Sequence, residues 1–175
     1  MEHRTAEELA GALDRIRESP TTNGTVELIV RRPAENEREV LDEGMLDLEE
    51  GLLGDMWHRR GTPNPEAQLT LMNARAAEVI AGGKERRHLA GDQLFVDLDL
   101  SIDNLPPGTR LAVGEGVVEV TAEPHTGCAK FSARFGSEAL RFVNKPPGRE
   151  LRLRGVNARV VTPGAVRVGD AITKL

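Results

Sequence analysis

Cys128 is the single cysteine of this 175-residue chain, and the residues around it favour chemistry at its sulfur. The sequence places it after a predicted strand and in the first turn of a predicted helix that Thr126 is expected to cap. Unpaired amides and the helix dipole stabilise negative charge at such a position. His125 and Lys130 flank the cysteine, and a nearby cation favours an ionised thiol. Cys128, His125 and Lys130 are therefore the predicted catalytic residues; the alternative is a buried, unreactive cysteine.

The charge of the chain is distributed unevenly. The net charge of −5 argues against a protein whose main role is to bind nucleic acid. Residues 123–175 carry 10 basic and 4 acidic side chains, whereas the first 122 residues carry 13 basic and 24 acidic ones. Cys128 belongs to the basic part, so the sequence predicts a local field that favours the thiolate and attracts a small anion. The alternative is that the two parts of the fold simply pair their charges.

Short apolar segments separated by turns dominate much of the chain. Alternation and β-branched residues predict strands over 26–30, 68–73, 94–100, 110–113, 117–121, 156–161 and 165–168, with further extended pieces near 40–41 and 45–48. Short strands at this spacing favour a sheet that closes on itself, because closure removes exposed edges. The predicted fold class is mainly β with flanking helices (α+β), built on a closed or nearly closed β-barrel.

Helices are expected in three places. Thr5 and Glu8 form a capping-box pattern ahead of an N-terminal helix. A second helix is predicted over 74–81, and apolar residues at helical spacing predict two short helices between Cys128 and Asn144. No linker or long repeat divides the chain. We therefore expect a single domain over residues 1–175, in which residues 1–24 form an N-terminal helix and turn.

The sequence also bears on where the protein is located. No apolar segment reaches the roughly 20 residues that a membrane-spanning helix needs. The N-terminal residues lead into an acidic helical pattern without the features of a secretion signal. A lone cysteine fits a reducing compartment. These observations predict a cytoplasmic protein that binds neither membranes nor nucleic acid.

Several motifs resemble those of a known family. The segment Gly114–Gly136, which contains Pro-His-Thr-Gly-Cys-Ala-Lys-Phe, resembles the cysteine-bearing segment of the MOSC family, named after the C-terminal domain of molybdenum-cofactor sulfurase. Gly51–Asp55 is similar to the Gly-Asp motif of the family, and Leu153–Gly155 with Gly169-Asp170 is similar to its C-terminal motifs. The resemblance spans residues 41–172. It implies a small stand-alone, bacterial-type member with a strand-rich barrel.

The resemblance implies two functions. The first is a sulfur carrier or sulfurtransferase of molybdenum-cofactor metabolism, in which Cys128 accepts sulfur as a persulfide. Its partners would be a cysteine desulfurase, which carries its own pyridoxal phosphate, or another sulfur donor, and a molybdoenzyme or pterin as acceptor. The second is a module that binds the molybdenum cofactor (molybdopterin) with Cys128 as metal ligand, which further implies reduction of N-hydroxylated compounds. A third alternative is an interaction protein with an inert cysteine.

Other residues are candidate cofactor ligands. Trp57, His58 and Arg59, followed by Arg60, are predicted to form a loop that stacks on a flat pterin and pairs with its phosphate. Arg134, Asn144 and Arg154 complete the predicted cofactor-binding set, and Asn144 and Arg154, together with Arg152, are expected to hold an oxyanion beside the sulfur. The chain carries Gly91-Asp92-Gln93 where many members of the family have a Gly-Glu-Asn turn. A zinc site that combines His125 and Cys128 with His58 or His88 is a weaker alternative.

Overall fold

Alternating apolar residues produce short strands along most of the chain. The computed structural model describes residues 2–175. Within that range the strands, in chain order, are β1 (Asn23–Arg31), β2 (Glu39–Leu41), β3 (Glu43–Asp47), β4 (Gly51–Leu52), β5 (Leu69–Asn73), β6 (Leu94–Asp97), β7 (Arg110–Val113), β8 (Gly116–Val120), β9 (Val156–Thr162), β10 (Gly164–Arg167) and β11 (Ala171–Lys174).

Seven of these strands close into a barrel. Neighbouring strands pair in the order β11-β7-β8-β9-β5-β6-β1, and pairing of β11 with β1 closes the ring. The β5–β6 pair is parallel, and the other barrel pairs are antiparallel. β2 pairs antiparallel with the C-terminal end of β1 as an additional strand. β10, β3 and β4 form a separate three-stranded sheet. The barrel with its flanking helices confirms the predicted fold class.

Apolar side chains fill two separate cores. The interior of the barrel is packed with aliphatic residues from all of its strands, and the small sheet adds Leu46, Leu52 and Val166 to it. The second core lies between the barrel and the helices. It contains Phe131 and Phe135, so this pair of phenylalanines is structural. Both faces of the barrel wall are therefore buried where helices cover it, which explains why some of its strands show little alternation.

Five α-helices flank the barrel in the described part of the chain: α1 (Ala6–Gly11), α2 (Leu13–Arg17), α3 (Ala74–Ala81), α4 (Ala129–Phe135) and α5 (Ser137–Asn144). Short 3-10 helices occur at Trp57–Arg59, Pro65–Ala67 and Lys84–Ala90. None of the helices within residues 2–175 is long and apolar enough to cross a membrane.

The N-terminal helix differs from its prediction in two respects. It forms two short helices, α1 and α2, instead of one. The predicted capping box is only half formed: the Glu8 amide donates to Thr5 Oγ1 at 3.1 Å, but the Glu8 carboxylate accepts from Arg4 Nη1 at 2.9 Å. The available arginine therefore competes with the helix terminus for the carboxylate.

Asn73 joins α3 to the barrel. Its side-chain oxygen caps α3 by accepting from the Ala76 amide at 2.9 Å, and its Nδ2 donates to Ser19 Oγ at 2.9 Å and to the Leu98 carbonyl at 3.0 Å. We expect Asn73→Ala to lower the free energy of unfolding by about 2–4 kcal/mol, because it removes a cap and leaves buried partners unsatisfied. Chemical denaturation measures the loss.

The matched control is Asn64→Ala. Asn64 caps the 3-10 helix at Pro65–Ala67 in the same way, with its oxygen accepting from the Glu66 amide at 3.0 Å, but it is exposed. We expect this variant to lose about 1 kcal/mol or less. Equal losses in the two variants would show that the buried hydrogen bonds of Asn73 contribute nothing beyond the cap.

Candidate functional site

Cys128 lies at the end of the connection between β8 and α4. It is exposed and occupies the N-cap position of α4, which begins at Ala129. The prediction that Thr126 caps this helix, with Cys128 in its first turn, is therefore wrong by two residues. The Cys128 backbone is extended (φ −126°, ψ −177°), so the chain turns into the helix only after the cysteine.

The segment that carries the cysteine is held by two asparagine side chains. Asn144 Nδ2 donates to the Gly127 carbonyl at 3.0 Å, and Asn144 Oδ1 accepts from the Gly127 amide at 2.8 Å. Asn157 Nδ2 donates to the carbonyls of Glu123 and Pro124 at 3.1 and 3.2 Å. Asn144 was predicted to hold an oxyanion, but Gly127 occupies both its oxygen and its amide nitrogen. Its position assigns it to fixing the cysteine loop.

The surroundings of Cys128 favour its ionised form. The Phe131 amide lowers the pKa of the thiol most, partial burial opposes it, and the Lys130 amide and the charges of Arg154 and Lys130 lower the pKa further. Neither amide makes a full capping hydrogen bond to the sulfur, so they act as nearby dipoles. The net result is a pKa below that of an ordinary cysteine thiol.

Cys128 opens onto a cavity of about 230 Å³ with a strongly cationic wall. Glu35 is the one acidic residue that lines it in the described part of the chain, and Lys130 Nζ lies 3.5 Å from a Glu35 oxygen at the exposed rim. A small volume lined by this many cations is suited to an anionic ligand. The basic residues that line the cavity are Arg32, Arg38, Arg60, Lys130, Arg134 and Arg154.

A buried ion triad forms one wall of this cavity. Asp92 is fully buried; its Oδ2 accepts from Arg154 Nη1 at 2.5 Å, and its Oδ1 lies 2.9 Å from His125 Nε2. Burial raises the pKa of Asp92, but the charges of Arg154 and His125 and their hydrogen bonds outweigh it and hold the pKa well below its ordinary value. An ionised Asp92 fixes the position of the His125 ring through Nε2.

Arg154 connects this triad to the helix that follows the cysteine. Its guanidinium lies over the Phe131 ring, 5.0 Å from the ring centroid, and its Nη2 donates to the Ala90 carbonyl at 3.2 Å. Gly155 follows with φ 123°, and a Cβ there would lie 2.5 Å from the Leu71 carbonyl oxygen and 3.0 Å from the His125 ring. The Leu153-Arg154-Gly155 motif thus places the Arg154 cation beside Asp92, and its glycine leaves room for the His125 ring.

Arg32 is held by the Gly-Asp motif at Gly54-Asp55, in the first third of the chain. The buried Asp55 accepts from Arg32 Nε at 3.0 Å and from Arg32 Nη2 at 2.9 Å, and its Oδ2 also accepts from the Trp57 amide. Burial raises the pKa of Asp55, but its hydrogen bonds to Arg32 and the Arg32 charge lower it to a net value below the ordinary one. The motif therefore positions a cavity cation without itself lining the cavity.

Arg38 carries a buried donor with no partner. Within residues 2–175, Arg38 Nε is inaccessible to solvent and makes no hydrogen bond. Burial and the neighbouring Arg134 and Arg32 charges lower the pKa of Arg38. A guanidinium crowded by other cations, with an unused donor, is a position that an anion in the cavity would stabilise.

The structure brings together some of the predicted site residues and separates others. Cys128, His125, Lys130, Arg134 and Arg154 all line the Cys128 cavity. The three residues of the predicted pterin loop do not line it. Their places are taken by the neighbouring Met56 and Arg60, which sit just outside that short helix.

The predicted pterin loop makes other contacts. His58 Nε2 lies 3.5 Å from a Glu50 oxygen, and Arg59 Nη2 donates to the Pro33 carbonyl. The zinc alternative also fails, because residues 2–175 contain no group of three or more His, Cys, Asp or Glu side chains that could hold a metal. His58 and His88 do not line the Cys128 cavity.

Three residues of the site, Arg32, Arg38 and Asp92, were not predicted, and Arg60 was expected only as part of the pterin loop. The three arginines lie in the acidic part of the chain, and only the barrel closure brings them next to Cys128. Asp92 occurs in the turn noted at Gly91–Gln93. Its signal was an acidic residue two positions before a strongly apolar strand, a position where a buried carboxylate needs cationic partners.

Comparisons with known proteins agree with the fold. A family profile described as MOSC domain matches residues 55–173. The structure is similar to that of the YUAD protein from Bacillus subtilis, with 15% identity, a TM-score of 0.63 and coverage of 86% of this chain and 94% of that one. None of the curated proteins matches the chain significantly.

Two further solved structures share the fold. One, described as a hypothetical protein, is 22% identical with a TM-score of 0.63, and the alignment covers 91% of this chain and 70% of that one. YiiM from Escherichia coli is 21% identical with a TM-score of 0.57, over 86% of this chain and 69% of that one. The profile match covers more than half of the sequence and includes Cys128. The chain therefore belongs to the MOSC domain family, a family associated with the molybdenum cofactor.

Proposed function

We propose that this protein is a cysteine-dependent sulfur carrier of molybdenum-cofactor metabolism, with Cys128 as the acceptor of sulfur. The observation that carries the proposal is an exposed cysteine with a lowered pKa that opens onto a cavity lined by six basic residues. The thiolate is the nucleophilic form of cysteine. A lowered pKa therefore supplies the reactive species, and the cationic wall attracts anionic partners.

The proposed step is an exchange between a thiolate and a persulfide. The Cys128 thiolate attacks the terminal sulfur of a persulfide on the donor. An S–S bond to Cys128 forms, the S–S bond of the donor breaks, and the inner cysteine sulfur of the donor leaves as a thiolate. No external oxidant or reductant is needed. The natural donor is a cysteine desulfurase with its own pyridoxal phosphate, and the acceptor is a molybdoenzyme or a pterin.

The residues of this chain have separate roles in that step. Lys130 and Arg154 hold negative charge on the sulfur. His125, which Asp92 orients through the 2.9 Å contact at Nε2, lines the same cavity as Cys128 and would donate a proton to the leaving thiolate. Asn144 keeps the loop in place through Gly127.

The test is intact mass spectrometry after incubation with a cysteine desulfurase and cysteine. We expect wild type to gain the mass of one sulfur atom, removable by a thiol reductant, and Cys128→Ala to gain none. The control is the double variant Cys128→Ala/Ala10→Cys, which moves the single thiol to an exposed position on α1. Equal sulfur gain by wild type and the double variant would overturn the proposal, as would no gain by wild type.

A second candidate function is binding of the molybdenum cofactor itself. The unused Arg38 Nε supports it, because a phosphate oxygen would complete this buried donor. Cys128 would supply a soft thiolate ligand for the metal, and Arg38, Arg60, Arg134 and Lys130 would face the phosphate. When bound, the cofactor would supply two-electron redox chemistry, the basis for reducing N-hydroxylated compounds.

Elemental analysis separates the two functions. Protein purified from a host that makes the cofactor should contain molybdenum in near-equal amount if it is a binding module, and Cys128→Ala should lose it. A sulfur carrier should gain sulfur from the desulfurase while it contains little molybdenum.

A further inference from the structure

A second cavity of about 250 Å³ adjoins the Cys128 cavity. His125 and Arg154 line both cavities, whereas Cys128 lines only the first. The buried triad of Asp92, His125 and Arg154 therefore forms a shared wall between two spaces. A molecule in the second cavity would touch the same imidazole that flanks the cysteine without occupying the position beside the sulfur.

The second cavity differs chemically from the first. Val143 and Val156 are buried at its base, and Ile102, Ala122 and Pro124 are exposed at its rim. Its volume is below the roughly 300–1,000 Å³ of sites for drug-sized ligands. An aliphatic lining of this size fits the apolar body of a small molecule, whereas the Cys128 cavity, with its six basic residues, fits a more highly charged group.

Most polar groups around the second cavity are already engaged. Thr121 Oγ1 donates to the Glu66 carbonyl at 2.5 Å, and Asn157 donates to two carbonyls of the cysteine loop. Arg152 Nη1 donates to the Leu105 carbonyl at 2.6 Å. Because these side chains already donate to backbone carbonyls, they leave few polar groups free to bind a ligand.

Two arginines at this cavity retain unused capacity. Arg149 is exposed, and its side chain has no ion-pair or hydrogen-bond partner within residues 2–175. Arg154 is largely buried, and its Nε, inaccessible to solvent, has no hydrogen-bond partner in the same range. The cavity therefore combines an apolar base, a buried unpaired donor in its wall and, at its exposed rim, the free cation Arg149 together with one acidic residue, Glu123.

The backbone of the loop that forms this wall is strained. Arg152 has φ 51°, in the left-handed region that non-glycine residues rarely adopt. The conformation is maintained by the carbonyls that its guanidinium binds and by backbone hydrogen bonds around it, such as Leu153 amide to Gly148 carbonyl at 3.0 Å. A strained residue that its surroundings hold in place is typical of binding sites.

We propose that the second cavity binds a small organic anion with an apolar body, of about the size of a monocyclic aromatic carboxylate. The body packs on Val143 and Val156, and the carboxylate pairs with Arg149. This site goes beyond the proposed function: it assigns a second molecule to the protein, bound beside the imidazole that serves Cys128.

The experiment is an NMR titration of the methyl groups of Ile102, Val143 and Val156 with benzoate, benzamide and inorganic phosphate as probes. We expect benzoate to shift these methyl signals saturably. Benzamide, which has the same body without the charge, should bind about two- to fivefold more weakly, the range of one exposed ion pair. Phosphate, which has no apolar body, should not shift the Val143 and Val156 methyl signals saturably.

Three variants test the geometry. Arg149→Ala should reduce benzoate affinity to that of benzamide, and Ala122→Trp, which fills the cavity from its exposed rim, should abolish the shifts. Arg17→Ala, which removes an exposed arginine elsewhere, should bind like wild type. No saturable shift with wild type, or unchanged binding by Ala122→Trp, would overturn the proposal.

A fourth variant separates this site from the proposed sulfur chemistry. Cys128→Ala should bind benzoate as tightly as wild type, because Cys128 does not line the second cavity. Wild type that binds benzoate but accepts no sulfur would overturn only the proposed sulfur chemistry, and wild type that accepts sulfur but does not bind benzoate would overturn only this site. Benzoate shifts that appear instead at residues beside Cys128 would also overturn the assignment.

Discussion

Arg154→Ala is expected to lower the free energy of unfolding by about 3–5 kcal/mol, because it leaves the charge of Asp92 buried without its main partner. Arg154 is 11% exposed and Asp92 is fully buried, so solvent cannot replace the lost ion pair. The variant also loses the contact with the Phe131 ring. Chemical denaturation at neutral pH measures the effect, and the pKa of Cys128 should rise, since Arg154 contributes to lowering it.

Three further variants make this prediction specific. Arg154→Lys, which keeps the charge but not the planar guanidinium, should show an intermediate loss and remain folded. Arg154→Ala/Asp92→Asn, which also removes the orphaned charge, should recover part of the loss. Arg159→Ala breaks a half-exposed pair with Glu119 on the barrel and should cost about 1 kcal/mol or less. Equal losses for Arg154→Ala and Arg159→Ala would contradict the buried triad.

Reversing two charges at the cavity rim should change which reagents reach Cys128. Arg60 and Lys130 are exposed and line the Cys128 cavity. In the double variant Arg60→Glu/Lys130→Glu, we expect the rate of alkylation by the anion iodoacetate to fall about 10–100-fold at low ionic strength, because each reversal replaces attraction with repulsion. Alkylation by neutral iodoacetamide should fall much less. The ratio of the two rates is the measured quantity.

The control carries the same change in net charge away from the cavity. Arg17 and Lys84 are exposed and line neither the Cys128 cavity nor its neighbour. Arg17→Glu/Lys84→Glu should leave the ratio of the two alkylation rates close to that of wild type. A similar ratio in both double variants would show that overall charge, and not the cavity wall, governs the approach of anions to Cys128.

The fold could be predicted largely from local patterns. α3 and β7 have their predicted bounds, because each is a short apolar segment bounded by strong turn or capping signals such as Gly82. β11 (Ala171–Lys174) was not predicted as a strand. It has four residues and one buried side chain, Ile172, so its sequence carries little pattern of its own. Its pairing with β1 and β7 closes the barrel, and that is a tertiary effect.

The site could be predicted only where it is local in sequence. Cys128, His125 and Lys130 lie within six residues of one another, and their proximity follows from that spacing. The predicted basic field is present, but half of its cations, Arg32, Arg38 and Arg60, come from the acidic part of the chain. Charge pairing between the two parts also occurs, as in the Arg154–Asp92 contact, so both expectations describe part of the molecule.

The predicted pterin loop shows that residue types alone do not predict which residues of a single turn line a cavity. Trp57, His58 and Arg59 are the most suggestive residue types in their segment, yet a single turn of 3-10 helix directs the chain so that Met56 and Arg60 line the cavity instead. Asp55 accounts for this arrangement, because it accepts from the Trp57 amide while it holds Arg32. Composition alone cannot distinguish residues that are one position apart on a turn.

The most direct test of an ionised, reachable Cys128 is the pH dependence of its alkylation by iodoacetamide in the native protein. Because the pKa of the thiol is lowered, the rate should rise with pH through a midpoint below that of a cysteine peptide measured alongside. The reaction should need no denaturant, since the side chain is exposed. A midpoint at or above that of the peptide, or alkylation only after unfolding, would contradict the account.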